Sequence, residues 1–198
     1  MRNLITMFLL VTLLLTVGCG GSKKMVTTKA TKEAMDNIPK WYLNPPTESD
    51  YIFATATDKS RDLGMAVDKA AMSARRDIAK KIEVKLESLG KRFQDEVVLG
   101  EDTEIMDKYT TSMKEIVSTV LSGTNIDKKK VFKEGDFFRV YVLVSYSEGA
   151  ASKRMADKIR QQKALMTKFQ ATKAWEELSK EVERFEQKKK ADMKSLAP

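Results

Sequence analysis

Residues 51–82 read YIFATATDKSRDLGMAVDKAAMSARRDIAKKI. Within this stretch the pattern changes period, and that change decides the fold class. Tyr51 to Thr57 is rich in aromatic and β-branched residues, the composition of a strand. Asp58 to Asp62 reads as a turn, with Ser60 or Asp62 available to cap a helix. From Leu63 onward the apolar and small residues fall at Ala66, Val67, Ala70, Ala71, Ala74, Ile78 and Ile82. Spacings of three and four build one face of a helix, and the alanines let that face lie close to a sheet. A strand followed by an amphipathic helix implies a mixed α and β domain.

Downstream, Ile82 to Ser88 (IEVKLES) alternates with period two, as a strand would, while Leu86, Leu89, Phe93 and Val97 keep the helical spacing. The longer pattern favours one helix continuing to about Val98. Leu99 to Thr103 (LGEDT) breaks it. A second helix is expected from the stripe Ile105, Tyr109, Met113, Ile116, Val117, Val120 and Leu121, ending at Ser122-Gly123. A hairpin follows: Asn125 to Lys133, a turn at Glu134-Gly135-Asp136, then Phe137 to Tyr146. The second of these strands is apolar on both faces, which places it centrally. After Glu148-Gly149 the chain reads as helix to its end. Met155, Ile159, Met166 and Phe169 form one stripe; Trp175, Leu178, Val182 and Phe185 form another, out of phase with the first. Such a helix packs one face on the domain or pairs with a partner helix. The expected architecture is α+β: a small antiparallel sheet packed by helices, in the order strand-helix-helix-strand-strand, with a long C-terminal helix.

Upstream, Pro39 to Pro46 (PKWYLNPP) holds three prolines, which argue against a regular helix and favour extended or turn geometry. Its aromatic residues read as a strap that packs Trp41 onto the domain, or as an exposed patch for a partner. Trp41, Tyr42 and, on the last helix, Trp175 are the candidate partner-binding residues. Residues 20–38 are polar and without apolar period. Treated as a flexible tether, they span roughly 25 Å root-mean-square.

The N-terminus tells where the protein resides. Arg2 precedes LITMFLLVTLLLTV at 4–17, then Gly18 and Cys19, the one cysteine of the 198 residues. A basic residue, a short apolar run and a small residue make a secretory signal. The run falls short of the roughly 20 residues a membrane span needs; an uncleaved anchor is the competing reading. Thr16-Val17-Gly18-Cys19 resembles the bacterial lipobox, with Thr16 where leucine is usual. The resemblance implies cleavage before Cys19 and acylation of its sulfur, and two or more chains give stable anchoring. Gly20, where aspartate signals inner-membrane retention, implies the outer membrane. The domain boundaries are then 1–18 signal peptide, 19–38 lipidated cysteine and tether, 39–147 α+β domain and 148–198 C-terminal helix.

Composition narrows the chemistry. Histidine is absent, removing the side chain most used for acid–base work near neutral pH and the commonest metal ligand. A lipidated Cys19 leaves no thiol for a disulfide, for catalysis or for a metal. The net charge of +8 is spread among interleaved acids and bases. It reads first as solubility, and secondarily as affinity for anionic envelope phosphates. Lys128-Lys129-Lys130 and Lys188-Lys189-Lys190 carry the same two readings. Ser88-Leu89-Gly90-Lys91 fits the S-x-x-K nucleophile pattern without its companion motifs. Glu101, Asp102 and Glu104 cluster where acids favour a helix start. No catalytic residue, cofactor or metal site is assigned, and nucleic acid is not expected as a partner outside the cytoplasm.

Taken in order, a lipobox cysteine, a polar tether, Pro39-Lys40-Trp41 with Asn44-Pro45-Pro46, the strand YIFATAT, the helix AVDKAAMSARRDIAKKIEV and a glycine-turned strand pair ending in YVLVSY resemble the Helicobacter-type twenty-kilodalton outer-membrane lipoprotein family. That family includes a flagellar assembly lipoprotein. The likeness covers about Pro39 to Tyr146, with Phe53-Ala54-Thr55-Ala56 in place of a glycine-containing strand. It implies a helix packed on an antiparallel sheet, an outer-membrane lipid anchor, no enzymatic role, and self-association or envelope partners.

Overall fold

The computed structural model describes residues 35–97 and 103–195. The elements are α1 (Lys40–Leu43), β1 (Tyr51–Ser60), α2 (Leu63–Glu96), α3 (Thr103–Val120), β2 (Asn125–Glu134), β3 (Phe137–Ser147), α4 (Glu148–Gln161), α5 (Lys163–Phe169) and α6 (Lys173–Ser195). The fold is α+β, with a three-stranded antiparallel sheet of order β1-β3-β2. All of these elements belong to one compact unit that begins at Ile38. The signal segment, Cys19, most of the tether and the acids Glu101 and Asp102 lie outside the described residues.

β3 is central because both its faces are apolar: Val140 to Tyr146 are all buried. It pairs with β1 from Tyr51 opposite Ser147 to Ser60 opposite Phe138. With β2 it pairs from Asn125 opposite Ser145 to Glu134 opposite Phe137, with a bulge between Ile126 and Lys128. The hairpin turn is Gly135-Asp136, and Gly135 has φ 59°, a value that favours glycine at the first central position of a two-residue turn. β1 runs three residues beyond the expected Thr57. The ladder to β3 holds Asp58, Lys59 and Ser60 extended despite their turn composition, as strand pairing overrides a weak local preference. The cap of α2 is consequently Asp62, whose Oδ1 accepts from the Met65 N–H at 2.7 Å.

α2 covers one face of the sheet. Ala66, Ala70 and Ala74 are fully buried, as are Val140, Val142 and Val144, while Ala54 and Ala56 of β1 are nearly so; all belong to one core cluster. Small side chains on both layers permit the close approach. At 34 residues α2 is about 50 Å long, against roughly 33 Å for a ten-residue strand. Its second half therefore runs past the sheet. Residues 82–88 are helical: Ile82 and Leu86 are buried, but Val84, which a strand would place on their face, is 61% exposed. Beyond the sheet, Leu86, Leu89 and Phe93 pack with α3 and the C-terminal helices in the same cluster. Phe93 stacks on Phe169 with ring centroids 3.7 Å apart, and Tyr109 stacks on both.

Two expectations need correction. Residues 40–43 form one turn of regular helix, where the three prolines argued against helix and for extended or turn geometry. Pro39 stands at its N-cap and Pro45-Pro46 follow its end, so the prolines flank the turn and block none of its hydrogen bonds. The C-terminal region is three helices instead of one. Gln162 leaves helical geometry at φ −105°, ψ 97°, and a second break precedes Thr172. The Thr172 Oγ1 accepts from the Trp175 N–H at 3.1 Å and caps α6. The breaks explain the phase change between the stripes: each segment turns its own apolar residues inward, Met155 and Ile159, then Leu165 and Phe169, then Ala174, Leu178 and Val182. Leu165, not Met166, is the fully buried member of the short middle helix.

Candidate functional site

Three places carry polar or aromatic groups in unusual density. The first is a polar cavity of about 160 Å³ between the loop before β1, α2, α4 and α6. Lys85 projects from α2 and donates to Glu148 Oε1 at 2.8 Å and to Glu181 Oε1. Ser152 also donates to Glu181 Oε1, at 2.8 Å. The site is half-buried, so one ammonium balances two carboxylates where water is scarce. Glu148 is fixed from behind, its N–H donating to the Asp50 carbonyl at 2.9 Å. The Asp50 carboxylate accepts from Lys188 Nζ at 2.7 Å. That hydrogen bond is the main cause holding the Asp50 carboxyl below its usual range and the Lys188 ammonium above its own. Gly149 lets α4 meet α6 here, since a Cβ on it would fall 2.6 Å from Phe185 Cβ. The arrangement ties the last helix to the sheet-packing helix.

The second place is the sheet face turned away from α2. Tyr42 rests on Tyr141, ring centroids 4.9 Å apart at 78°, and the Tyr42 carbonyl accepts from Thr55 Oγ1 at 3.3 Å. Phe132 meets Tyr141 edge-on from the other side, at 5.9 Å. Trp41 is half-buried beside Tyr42. Along the edge strand β2, Lys128, Lys129 and Lys130 are exposed opposite Leu143, Val142 and Tyr141. Lys130 Nζ stands 4.9 Å over the Phe132 ring, and the Lys59 and Arg61 cations each stand 5.5 Å over Phe137. At the strand end, Arg139 and Glu134 pair, each raising or lowering the other so that both stay charged.

The third place is Trp175. It is half-buried against Phe169, with the Arg160 guanidinium 5.3 Å over its ring. The structure thus brings Trp41 and Tyr42 together on the sheet face and leaves Trp175 in a different part of the fold, at the helical end of the core. Ser88 of the S-x-x-K match is exposed, its hydroxyl donating to the Val84 carbonyl one turn back at 2.8 Å. Glu104 pairs with Lys108, which holds its carboxyl low. Sequence reasoning missed Lys85, Glu148 and Glu181. They are far apart in the chain, and no local pattern distinguishes them from the other surface charges.

Among the described residues, no helix is long and apolar enough to cross a membrane, and no cluster of potential ligands could hold a metal ion. A sheet of three antiparallel strands, one long alanine-faced helix across it and a proline-flanked aromatic turn on the opposite face define a small α+β domain. The LPP20 lipoprotein family model matches residues 39–147, more than half of the chain, and the protein belongs to that family. The match begins at the proline that opens α1 and ends where β3 gives way to α4. A search of curated proteins finds no match.

Proposed function

We propose that this is a non-catalytic lipoprotein of the bacterial outer membrane, anchored through lipidated Cys19 and acting as a structural or adaptor module. The observation that carries the reading is a family-matched lipoprotein domain beginning 20 residues after a lipobox-like cysteine. Gly20 supports the outer membrane as the destination. An adaptor role is supported by how the charged groups are used: the carboxylates of Glu148 and Glu181 are spent on Lys85, and the Ser88 hydroxyl on its own helix. The surfaces left to partners are the sheet face around Trp41 and Tyr42 and the two sheet edges, which pair with no further strand among the described residues. Self-association and contact with other envelope proteins are the interactions proposed.

Cys19→Ala tests the anchor. The variant is expected in the soluble fraction of lysed cells, and the wild-type chain in the outer-membrane pellet with an acyl mass on its first tryptic peptide. An unacylated wild-type protein, or a variant still in the membrane, overturns it. Cross-linking in intact cells followed by mass spectrometry tests the adaptor role. Reproducible cross-links to itself or to one envelope protein support it. Cross-links to basal-body proteins would narrow it to flagellar assembly, and cleavage of purified sacculi by the pure protein would replace it with a peptidoglycan hydrolase.

A further inference from the structure

Charge is distributed unevenly over the molecule. On the helices several lysines have acidic partners, Lys85 with Glu148 and Glu181, Lys153 with Glu186, Lys158 with Glu115 and Lys180 with Glu176, and those without one, such as Lys80, Lys91 and Lys114, nowhere run to three in succession, Lys189 and Lys190 near the end of α6 being two. On β2 the lysines have no acidic partner among the described residues. Lys128, Lys129 and Lys130 stand opposite apolar residues of β3. The adjacent acid, Asp127, accepts a hydrogen bond from Ser145 Oγ at 2.9 Å. A single lysine suffices to discourage edge-to-edge pairing of strands; three in succession without counter-charge repel one another. Apolar side chains accompany them, with Ile126 40% and Val131 38% exposed.

The position of this strip relative to the chain's entry gives it a direction. Pro39 to Leu43 carries the tether's end onto the sheet face, where Tyr42 and Phe132 meet the same Tyr141 ring. Tyr141 is the residue opposite Lys130. The tether therefore joins the domain beside the lysine strip. Pro39 stands 20 residues after Cys19, so on the lipid-anchor reading the chain cannot place it more than about 70 Å from its origin. At such a distance a weak contact is strengthened by high effective concentration.

We propose that β2, with the adjoining α1 turn, is a docking surface for anionic phospholipid headgroups of the bilayer to which the chain is tethered. The lysines meet the phosphates, while Trp41 and Tyr42 supply the amphipathic rings that favour a membrane–water boundary. This rests on the lipid-anchor reading for the location of the bilayer, but the interaction belongs to the folded domain. Every buried apolar side chain of the core cluster lies between Ala54 and Val182, so the acyl-free chain 20–198 keeps the whole core and can be tested without the anchor.

The experiment measures sedimentation of that chain with vesicles of phosphatidylcholine alone and with phosphatidylglycerol added. Binding is expected only with the anionic lipid, and it should weaken with salt. Lys128→Glu/Lys129→Glu/Lys130→Glu should lower partitioning by about 100-fold or more, at about fivefold per lysine. Lys189→Glu/Lys190→Glu/Lys194→Glu, with the same change of net charge on exposed positions of α6, should stay within several-fold of wild type. Amine labelling of the wild-type chain gives a readout that does not depend on how the variants fold: Lys128 to Lys130 should be protected by anionic vesicles and Lys189 and Lys190 should not. Equal binding to both vesicle types, equal losses in the two variants, or uniform labelling would overturn the proposal. A failed Cys19→Ala fractionation would remove the anchor and leave this result standing on its own.

Discussion

A Cβ on Gly90 would lie 2.5 Å from Cε1 of Tyr109. This one relationship sets how closely α2 and α3 cross, and it lets the Tyr109 hydroxyl reach the Leu86 carbonyl, 2.5 Å away. In an isolated helix, glycine would be a defect of about 1 kcal/mol relative to alanine. Here the missing methyl is space that the tyrosine ring occupies.

Gly90→Ala therefore separates the two effects by sign. If helix propensity governed, the variant would gain about 1 kcal/mol. The crossing predicts a net loss of about 1–3 kcal/mol from overpacking against a ring that has no room to withdraw. Urea unfolding followed by far-ultraviolet circular dichroism reads the sign directly.

Burial pushes the Tyr109 phenol well above its ordinary pKa of 10.0. Folded, the group stays protonated; unfolded, it ionises near pH 10. The unfolded state then binds fewer protons, so the stabilising contribution is intact below about pH 10 and falls as pH rises beyond it. One such group gives a slope approaching 1.4 kcal/mol per pH unit. Tyr141 and Tyr146 are raised in the same direction, also chiefly by burial, and add to the slope. Tyr109→Phe should flatten the alkaline limb of a stability–pH curve while costing about 1 kcal/mol at neutral pH through the lost hydrogen bond. An unchanged limb would mean that the phenol is accessible to water.

Lys85 holds two carboxylates of the C-terminal helices. Replacing it by methionine leaves Glu148 and Glu181 facing each other without a counter-charge. Because the site is only half-buried, a loss of about 1–2 kcal/mol is expected, below the range for a fully buried pair. Adding Glu181→Gln should restore part of it, a coupling that a purely steric role for Lys85 would not produce. Hydrogen exchange should locate the loosening in α6.

The family match stops at residue 147, but the core does not. Ala151, Met155, Ile159, Leu165, Phe169, Leu178 and Val182 belong to the same buried cluster as the sheet. A chain ending at Ser147 would expose Phe93, Tyr109 and the second half of α2. Loss of Phe169 alone is worth about 3–5 kcal/mol by comparison with phenylalanine truncations in cores. The shortened chain is expected to lose its near-ultraviolet circular dichroism and to aggregate. A cooperative unfolding transition in it would show that the matched segment stands alone.

Much of this fold was legible beforehand, for identifiable reasons. β3 is apolar on both faces, and only a central strand buries both. Ile82 to Phe93 keeps helical spacing over three turns, which outweighs seven residues of alternation. The hairpin turn needed one glycine with positive φ, and Gly135 stands there. Less legible were the last residues of β1, whose turn-like composition yields to pairing with β3, and the helical turn at 40–43, where proline count concealed proline position. The breaks at Gln162 and before Thr172 had a trace in the sequence, the change of stripe phase, which a single straight helix could not have satisfied.

By itself, then, the sequence determined the order strand-helix-helix-strand-strand and the central place of β3, because period and turn chemistry are local properties. It also places a lipobox-like Thr16-Val17-Gly18-Cys19 behind an apolar run, a pattern that is read by recognition rather than by folding. Only the tertiary structure decided which groups meet. Lys85 reaches Glu148 and Glu181 across 63 and 96 residues of chain, and Phe93 stacks on Phe169 across a similar gap. It also decided that the tether's end meets the sheet at Tyr141, the residue paired with Lys130 of β2. Such contacts depend on where α2 lies, on how far it overruns the sheet and on how the C-terminal helices fold back, and no local spacing encodes those quantities.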